Sequence, residues 1–384
     1  MSTTPGPARP RIAVLGAGSI GCHLGGMLAR SADVTLIGRP DAMAAIQRRG
    51  LTLTGPDAAR REVRDLRTAT GAAAAAGADY VLVTVKSADT VAAAREVAEH
   101  LAPGAVVLSF QNGLHNARLL RAELAGHRVL AGMVPYNVVH SAPAAFHQGS
   151  GGQVMLEADP ERVDGRSAAF ARAARAGGLD LTLRRDMPAV QAAKLLMNLN
   201  NAVNALSGLP LREQLGRRDY RACLALCQYE ALGAFRAARL AAARLGPVPA
   251  GWMPRVLALP DRLFHRLAGA TLRIDAQARS SMWEDLQRGR GTEIDALQGE
   301  IVALAARHGR PAPANARLIA LVREAEAAAP GTARRWSGPE LLAELTAAAR
   351  GRPDTARSQL QTGLSGARPP AGRPGATGGP SGGR

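Results

Sequence analysis

Residues 11–21 read RIAVLGAGSIG. An apolar strand-like run leads into Gly16, Gly18 and Gly21 in G-x-G-x-x-G spacing, with Ser19 and Ile20 ahead of the last glycine, and a helical stretch follows over about 19–30. The first glycine of such a turn permits its tightness, the second lets backbone approach a pyrophosphate, and the third lets helix and strand pack closely, with the phosphates at the helix N-terminus. The spacing alone is weak. It becomes constraining because this is the first junction of a chain that goes on alternating. DVTLIG precedes a helix from Pro40, DYVLVTV one over about 88–101, and AVVLSF one from about 115. That alternation builds a mostly parallel, doubly wound sheet with dinucleotide-binding capacity.

Three later runs, RVLAGMVPYNVV, GGQVMLEA and LDLTLRR, read as an antiparallel extension closing the same domain. From Met187 strand patterns cease, and residues 187–349 read as helices broken at GLPLRE, at the Pro-rich stretch 246–260 and at RGRGTE. The expected organisation is a flexible leader over 1–10, a nucleotide-binding domain over 11–186, a helical substrate and catalytic domain over 187–349, and a tail over 350–384. The tail is rich in Gly, Pro, Ser and Arg with almost no bulky apolar residue, a composition that predicts disorder.

At the end of the second strand the chain reads LIGRPD. Where an NAD-binding site carries an acid for the ribose hydroxyls, Arg39 stands instead, and arginine there accommodates the 2′-phosphate of NADP. Ligands of such sheets bind beyond the carboxyl ends of the strands. Lys86 follows YVLVTV directly and Asn112 follows VVLSF, so both project towards the crevice; Asn112-Gly113 also reads as an ordinary turn pair.

Of 48 basic residues, only Lys86 and Lys194 are lysines. Arginine serves this chain wherever it needs only charge. A lysine can release its proton and guanidinium cannot, so these two are candidates for work arginine cannot do, against the alternative of compositional drift. If 190–208 is one helix, Lys194, Asn198 and Asn201 share a face at about 100° per residue, while Leu196, Leu199, Val203 and Leu206 share the opposite one. Solvent faces elsewhere carry arginines and acids. This face offers amides around one lysine, which suits a polar ligand.

The net charge of +17 follows the arginine habit and is discounted; a field of this sign suits nucleic acid, anionic lipid or small anionic ligands alike. No basic helix interleaved with aromatics points to nucleic acid, no apolar run reaches membrane-span length, and no Cys/His cluster implies a metal. Three cysteines make no even disulfide framework, which fits a cytoplasmic protein.

GAGSIG, VKSADT, QNGLHN, KLLMNLNNAVNALSG and SSMWEDLQRGRGTEIDALQGEI, in that order and spacing over about residues 11–325, resemble the ketopantoate reductase family. The resemblance implies an α/β fold in which an N-terminal Rossmann-type doubly wound sheet, binding NADPH, is followed by an all-helical C-terminal domain, with the substrate between them. It implies Lys194 as the general acid, Lys86 against cofactor and substrate, Asn112 holding the nicotinamide region and substrate, Asn198 and Ser281 binding the substrate's hydroxyl and carboxylate end, and Glu293 orienting the site. Asn201 joins the substrate candidates because some members carry a second asparagine eight residues after the lysine, where this chain has Ala202. Read without the resemblance, GTEID is also a helix start, where an acid needs no catalytic role.

The resemblance thus points to NADPH-dependent reduction of 2-dehydropantoate, a step of pantothenate synthesis, by a cytoplasmic monomer or homodimer. A paralogue acting on another 2-keto acid and a non-catalytic NADP-binding sensor are the alternatives.

Overall fold

The structure, a computed structural model of the 384-residue chain, describes residues 9–55, 59–158, 165–268 and 278–351. The chain begins with β1 (Arg11–Leu15), α1 (Ser19–Leu28), β2 (Asp33–Ile37) and α2 (Pro40–Arg49), then three short strands, β3 (Leu51–Thr54), β4 (Arg60–Val63) and β5 (Arg67–Ala69). Alternation resumes with β6 (Tyr80–Val83), α3 (Thr90–Ala98), β7 (Val106–Ser109), α4 (Asn116–Glu123) and β8 (Arg128–Met133). β9 (Val138–Ala142), β10 (Ala145–Gln148), β11 (Val154–Glu157), α5 (Arg166–Ala176) and β12 (Leu181–Arg184) follow.

One sheet has the order β12-β11-β8-β7-β6-β1-β2-β5. β1, β2, β5, β6, β7 and β8 run parallel. β6 and β7 are buried along their whole length, as strands covered on both faces must be. Ile12 and Val14 face one core, shared with α1 and α5. Ala13 and Leu15 face the other, shared with α3 and α4.

The expected antiparallel extension is partly corrected. β11 does run antiparallel to β8, and β12 parallel to β11, but β8 itself is a parallel neighbour of β7. The stretch RVLAGMVPYNVV is also not one strand. It breaks over 134–137, where Pro135 has no N–H to give a ladder, and β9 beyond it belongs to a second sheet of order β4-β3-β10-β9. That sheet was not anticipated from sequence. Arg9, within the expected leader, donates to the carbonyls of Ala29 and Ala32. Residues 1–8 of that leader and 352–384 of the expected tail lie outside the described residues.

The helical part comprises α6 (Met187–Asn198), α7 (Asn200–Ser207), α8 (Leu211–Gly216), α9 (Arg218–Ala237), α10 (Met253–Leu257), α11 (Asp261–Ala268), α12 (Ser281–Gln287), α13 (Glu300–Arg307), α14 (Pro313–Ala327) and α15 (Gly338–Arg350), with a π-turn over Asp295–Gly299 before α13. α9 is its axis and packs on α10, α13 and α15. The anticipated single helix over 190–208 is divided at Leu199, whose carbonyl accepts from Gln298 Nε2 at 2.8 Å. α6 serves both domains. Met187, Val190 and Ala193 enter the core beneath the sheet, while Leu195, Leu196 and Leu199 enter the core of the helical domain.

Candidate active site

The glycine turn has the geometry its spacing implies. Gly16 adopts φ +97°, and a Cβ there would stand 2.6 Å from the Val85 nitrogen. A Cβ on Gly21 would stand 2.6 Å from both the Gly16 carbonyl oxygen and Thr84 Oγ1, so helix and strand meet at glycine distance. At Gly18, N-cap of α1, the nearest atom to a Cβ is 3.9 Å away. The residues therefore fit a dinucleotide: crowded where the turn closes, open where a pyrophosphate would approach, with Ser19 and Ile20 opening the helix behind.

Beside this turn, residues from both domains form a hydrogen-bonded chain. Asn112, just beyond β7, donates through Nδ2 to Glu293 Oε2 at 3.0 Å and accepts through Oδ1 from Asn198 Nδ2 at 3.0 Å. Glu293 Oε1 accepts from the Ser87 backbone N–H and from Ser87 Oγ, both at 3.3 Å. Lys86, at the end of the β6 segment, pairs with Asp285 Oδ2 at 2.8 Å and donates to the Gly291 carbonyl at 2.7 Å. Burial pushes Asp285 above the usual carboxylate range, and Lys86 partly offsets the rise.

Lys194 lies one helical turn before Asn198, half-buried, with Nζ donating to the Pro135 carbonyl at 3.0 Å. Burial lowers its pKa to about 8, since a low-dielectric surround penalises the charged form. The break in the expected long strand thus has a use: the 134–137 connection supplies the oxygen that holds the lysine.

Family models described as Ketopantoate reductase PanE/ApbA and Ketopantoate reductase PanE/ApbA C terminal match residues 12–160 and 186–326. A solved PanE/ApbA family ketopantoate reductase from Ralstonia eutropha is 31% identical, with a TM-score of 0.70 over 82% of this chain and 98% of that one. The chain belongs to the ketopantoate reductase family. A 2-dehydropantoate 2-reductase from Halobacterium salinarum is 29% identical over 327 residues, 82% of this chain and 99% of the relative. A D-mandelate dehydrogenase solved with NADH and anilino(oxo)acetate shares the fold at 19% identity and TM-score 0.68. Membership makes the chain a ketopantoate reductase-type oxidoreductase.

Among the residues expected at a ketopantoate reductase site, the structure brings together Lys86, Asn112, Asn198 and Glu293, with Lys194 adjacent on α6. Three others stand apart from this network. Arg39 is exposed at the N-cap of α2 and has no ion pair with a described residue. Asn201 is half-buried, and its carbonyl accepts from Ser280 Oγ at 3.1 Å. Ser281 is exposed on the first turn of α12, while Ser280 is buried and caps that helix by accepting from the Trp283 N–H. Asp285, Ser87, and the buried Thr90 and Asn116 that brace the Asn112 loop were not singled out from sequence. Thr90 Oγ1 donates to Asn116 Oδ1 at 2.9 Å, and Asn116 Nδ2 donates to the Asn112 carbonyl and to Ser87 Oγ. Asp285 falls within the quoted SSMWED motif, so its signal was one turn from Ser281. Short polar residues after a strand carry no signal that separates braces from turn formers.

Proposed function

We propose that the chain reduces 2-dehydropantoate to pantoate with NADPH, with Lys194 as the proton donor. The observation that carries this is a half-buried lysine of pKa about 8 set one turn from the Asn198–Asn112–Glu293 chain. The glycine turn and the start of α1 would hold the pyrophosphate of the dinucleotide, which when bound would supply the hydride that the keto carbon takes up. Lys194 Nζ gives a proton to the keto oxygen, so that carbonyl plus hydride plus proton becomes the alcohol. An acid with a pKa near the working pH suits that transfer. Glu293 accepts from Asn112 Nδ2, and Asn198 donates to Asn112 Oδ1. The Asn112 amide is therefore fixed in one sense, with its side chain held at the seam between the domains. Lys86 adds positive charge where a carboxylate substrate enters, and its pairing with Asp285 fixes its position.

A second reading, reduction of another 2-keto acid, draws on Ala202, which is wholly buried in the helical core and offers nothing polar where some family members have asparagine. The test is steady-state turnover of a panel of 2-keto acids with NADPH and with NADH. Ketopantoate should give the highest kcat/KM, and a larger value for an analogue would favour the second reading. Cofactor binding without turnover of any acid would sink both.

The NADPH assignment rests on Arg39. A charge-assisted contact to the 2′-phosphate should favour NADPH by about ten-fold or more in kcat/KM, which corresponds to about 1.4 kcal/mol. Arg39→Ala should lose most of that gap. Equal use of both cofactors by the unmodified protein would contradict the assignment.

A further inference from the structure

The 134–137 connection belongs to neither sheet, and separate contacts hold each of its residues in place. Gly152, at φ +141°, makes room for Pro135: a Cβ there would stand 2.7 Å from Pro135 Cγ. Tyr136 is buried against α1, its hydroxyl 3.4 Å from His23 Nδ1 and its ring edge-on to the His23 ring at 5.2 Å. The Asn137 carbonyl accepts from the Gly149 N–H at 2.9 Å. These contacts all lie within the sheet domain. One more crosses the cleft: Asn137 Nδ2 donates to the Arg279 carbonyl at 2.9 Å.

Arg279 precedes Ser280, the cap of α12. Its side chain is engaged on the helical side, with Nη1 on the Gly208 carbonyl at 2.5 Å and the guanidinium 4.3 Å over the Trp283 ring. At the far end of α12, Arg288 Nη2 donates to the His140 carbonyl of β9 at 3.4 Å. The helix is thereby strapped at both ends to one short run, 137–140, which begins two residues after the carbonyl that accepts from Lys194 Nζ. The charged groups on the surrounding elements are engaged with one another. Asp186 at the start of α6 pairs with Arg184, Glu157 of β11 with Arg121, Lys86 with Asp285 and Arg288 with Glu284, while Glu293 accepts from Ser87 and Asn112. Burial first, then Arg288, hold the His140 imidazole below its ordinary range. Among the described residues, the Pro135 carbonyl is the acceptor that meets the Lys194 ammonium.

We propose that Asn137 is a positioning residue of the reduction: by tying the 134–137 connection to the start of α12, it keeps the Pro135 carbonyl on Lys194 Nζ. This rests on the reading of Lys194 as the proton donor and extends it to the residue that seats the donor's acceptor from across the cleft. A carbonyl aimed at an ammonium favours the charged form and fixes the direction of its N–H bonds, and a misplacement of about 1 Å can cost about 10²-fold in rate. With the tie removed, the connection keeps its anchors in the sheet domain and loses the one that registers it against the helical domain, to whose core the neighbours of Lys194, Leu195 and Leu196, belong. The carbonyl then recedes from the ammonium, burial acts unopposed, and the lysine gives up its proton at lower pH.

The experiment is the pH dependence of kcat/KM for the preferred 2-keto acid with NADPH, in the full chain and in Asn137→Ala and Asn137→Asp, with melting temperature and NADPH affinity measured alongside. Asn137→Ala should lower kcat by about five-fold or more, the order a lost hydrogen bond implies. It should also move the alkaline limb down by about half a pH unit or more, so that the deficit widens from acid to alkaline pH. Asn137→Asp keeps the shape but turns an oxygen towards the Arg279 carbonyl, and should do no better. NADPH affinity should stay within about two-fold of the parent, because the glycine turn is untouched. Parent-like kinetics in both variants, or a deficit equal at every pH, overturns the positioning role and leaves Lys194 as the donor. A parent profile with no limb near pH 8 overturns the donor reading and the positioning role with it.

Discussion

Lys194→Arg should lower kcat by about 10²–10⁴, the range general acid catalysis contributes, while NADPH affinity stays within a few-fold of the parent. Arginine keeps the charge but releases no proton at ordinary pH, so the substitution separates acid from counter-ion. The parent's own pH profile makes the same point. With a pKa of about 8 the active form is the ammonium, so kcat/KM should hold below that value and fall about ten-fold per pH unit above it. Stability should move the opposite way in Lys194→Met. The fold depresses this pKa below its unfolded value, so the charged lysine destabilises the native state below pH 8, and that penalty fades as pH rises through the native and then the unfolded pKa. Lys194→Met should be inactive and melt at least about 2 °C higher at pH 7, with the gap closing towards pH 10. A Lys194→Arg enzyme within three-fold of the parent kcat would remove the lysine from the chemistry.

Glu293→Gln should lower kcat/KM by about 10–100-fold. Glu293 accepts three hydrogen bonds, from the Ser87 N–H, Ser87 Oγ and Asn112 Nδ2. A glutamine of the same shape turns one accepting oxygen into an NH₂ that faces donors. Hydrogen bonds to charged groups contribute about 1.5–3 kcal/mol, which converts to that range. The loss should appear mainly in kcat if Asn112 positions the reacting carbonyl, with NADPH affinity little changed. Glu293→Asp, too short to span both partners, should not rescue. Parent-like kinetics in Glu293→Gln would reduce the residue to the helix-start acid that GTEID alone suggests.

How much was legible in the sequence differs from element to element. The turn Gly16–Gly21 announced itself because each glycine answers a separate steric demand, and the parallel strands β1, β2, β6 and β7 followed from alternation. The second sheet did not show. β3 and β10 pair in parallel although Thr52 and Ala145 lie far apart in the chain, so no local pattern announces the pairing. The direction of β8 was misjudged because hydrophobic runs carry no polarity. In the site, Lys194 and Asn198 could be seen as one helical face. The break at Leu199 could not, because it is matched to Gln298, about a hundred residues later. Ser87, Thr90 and Asn116 escaped for a related reason: a brace is defined by its partner, and the partners lie on different strand ends.

The sharing of α6 between the two cores has a bearing on the timing of the reaction. The helix is bolted to β8 and β11 through its first half, and the irregularity at Leu199 comes one residue after Asn198. Leu195, Leu196 and Leu199 of its second half enter the core of the helical domain, so Lys194 stands where the helix passes from one core to the other. On the proposed reading the proton donor is thereby tied to both domains at once, and loosening α6 from β8 and β11 would shift it relative to the bound cofactor. Substitutions that weaken that contact should therefore slow the isotope-sensitive hydride step as well as product release.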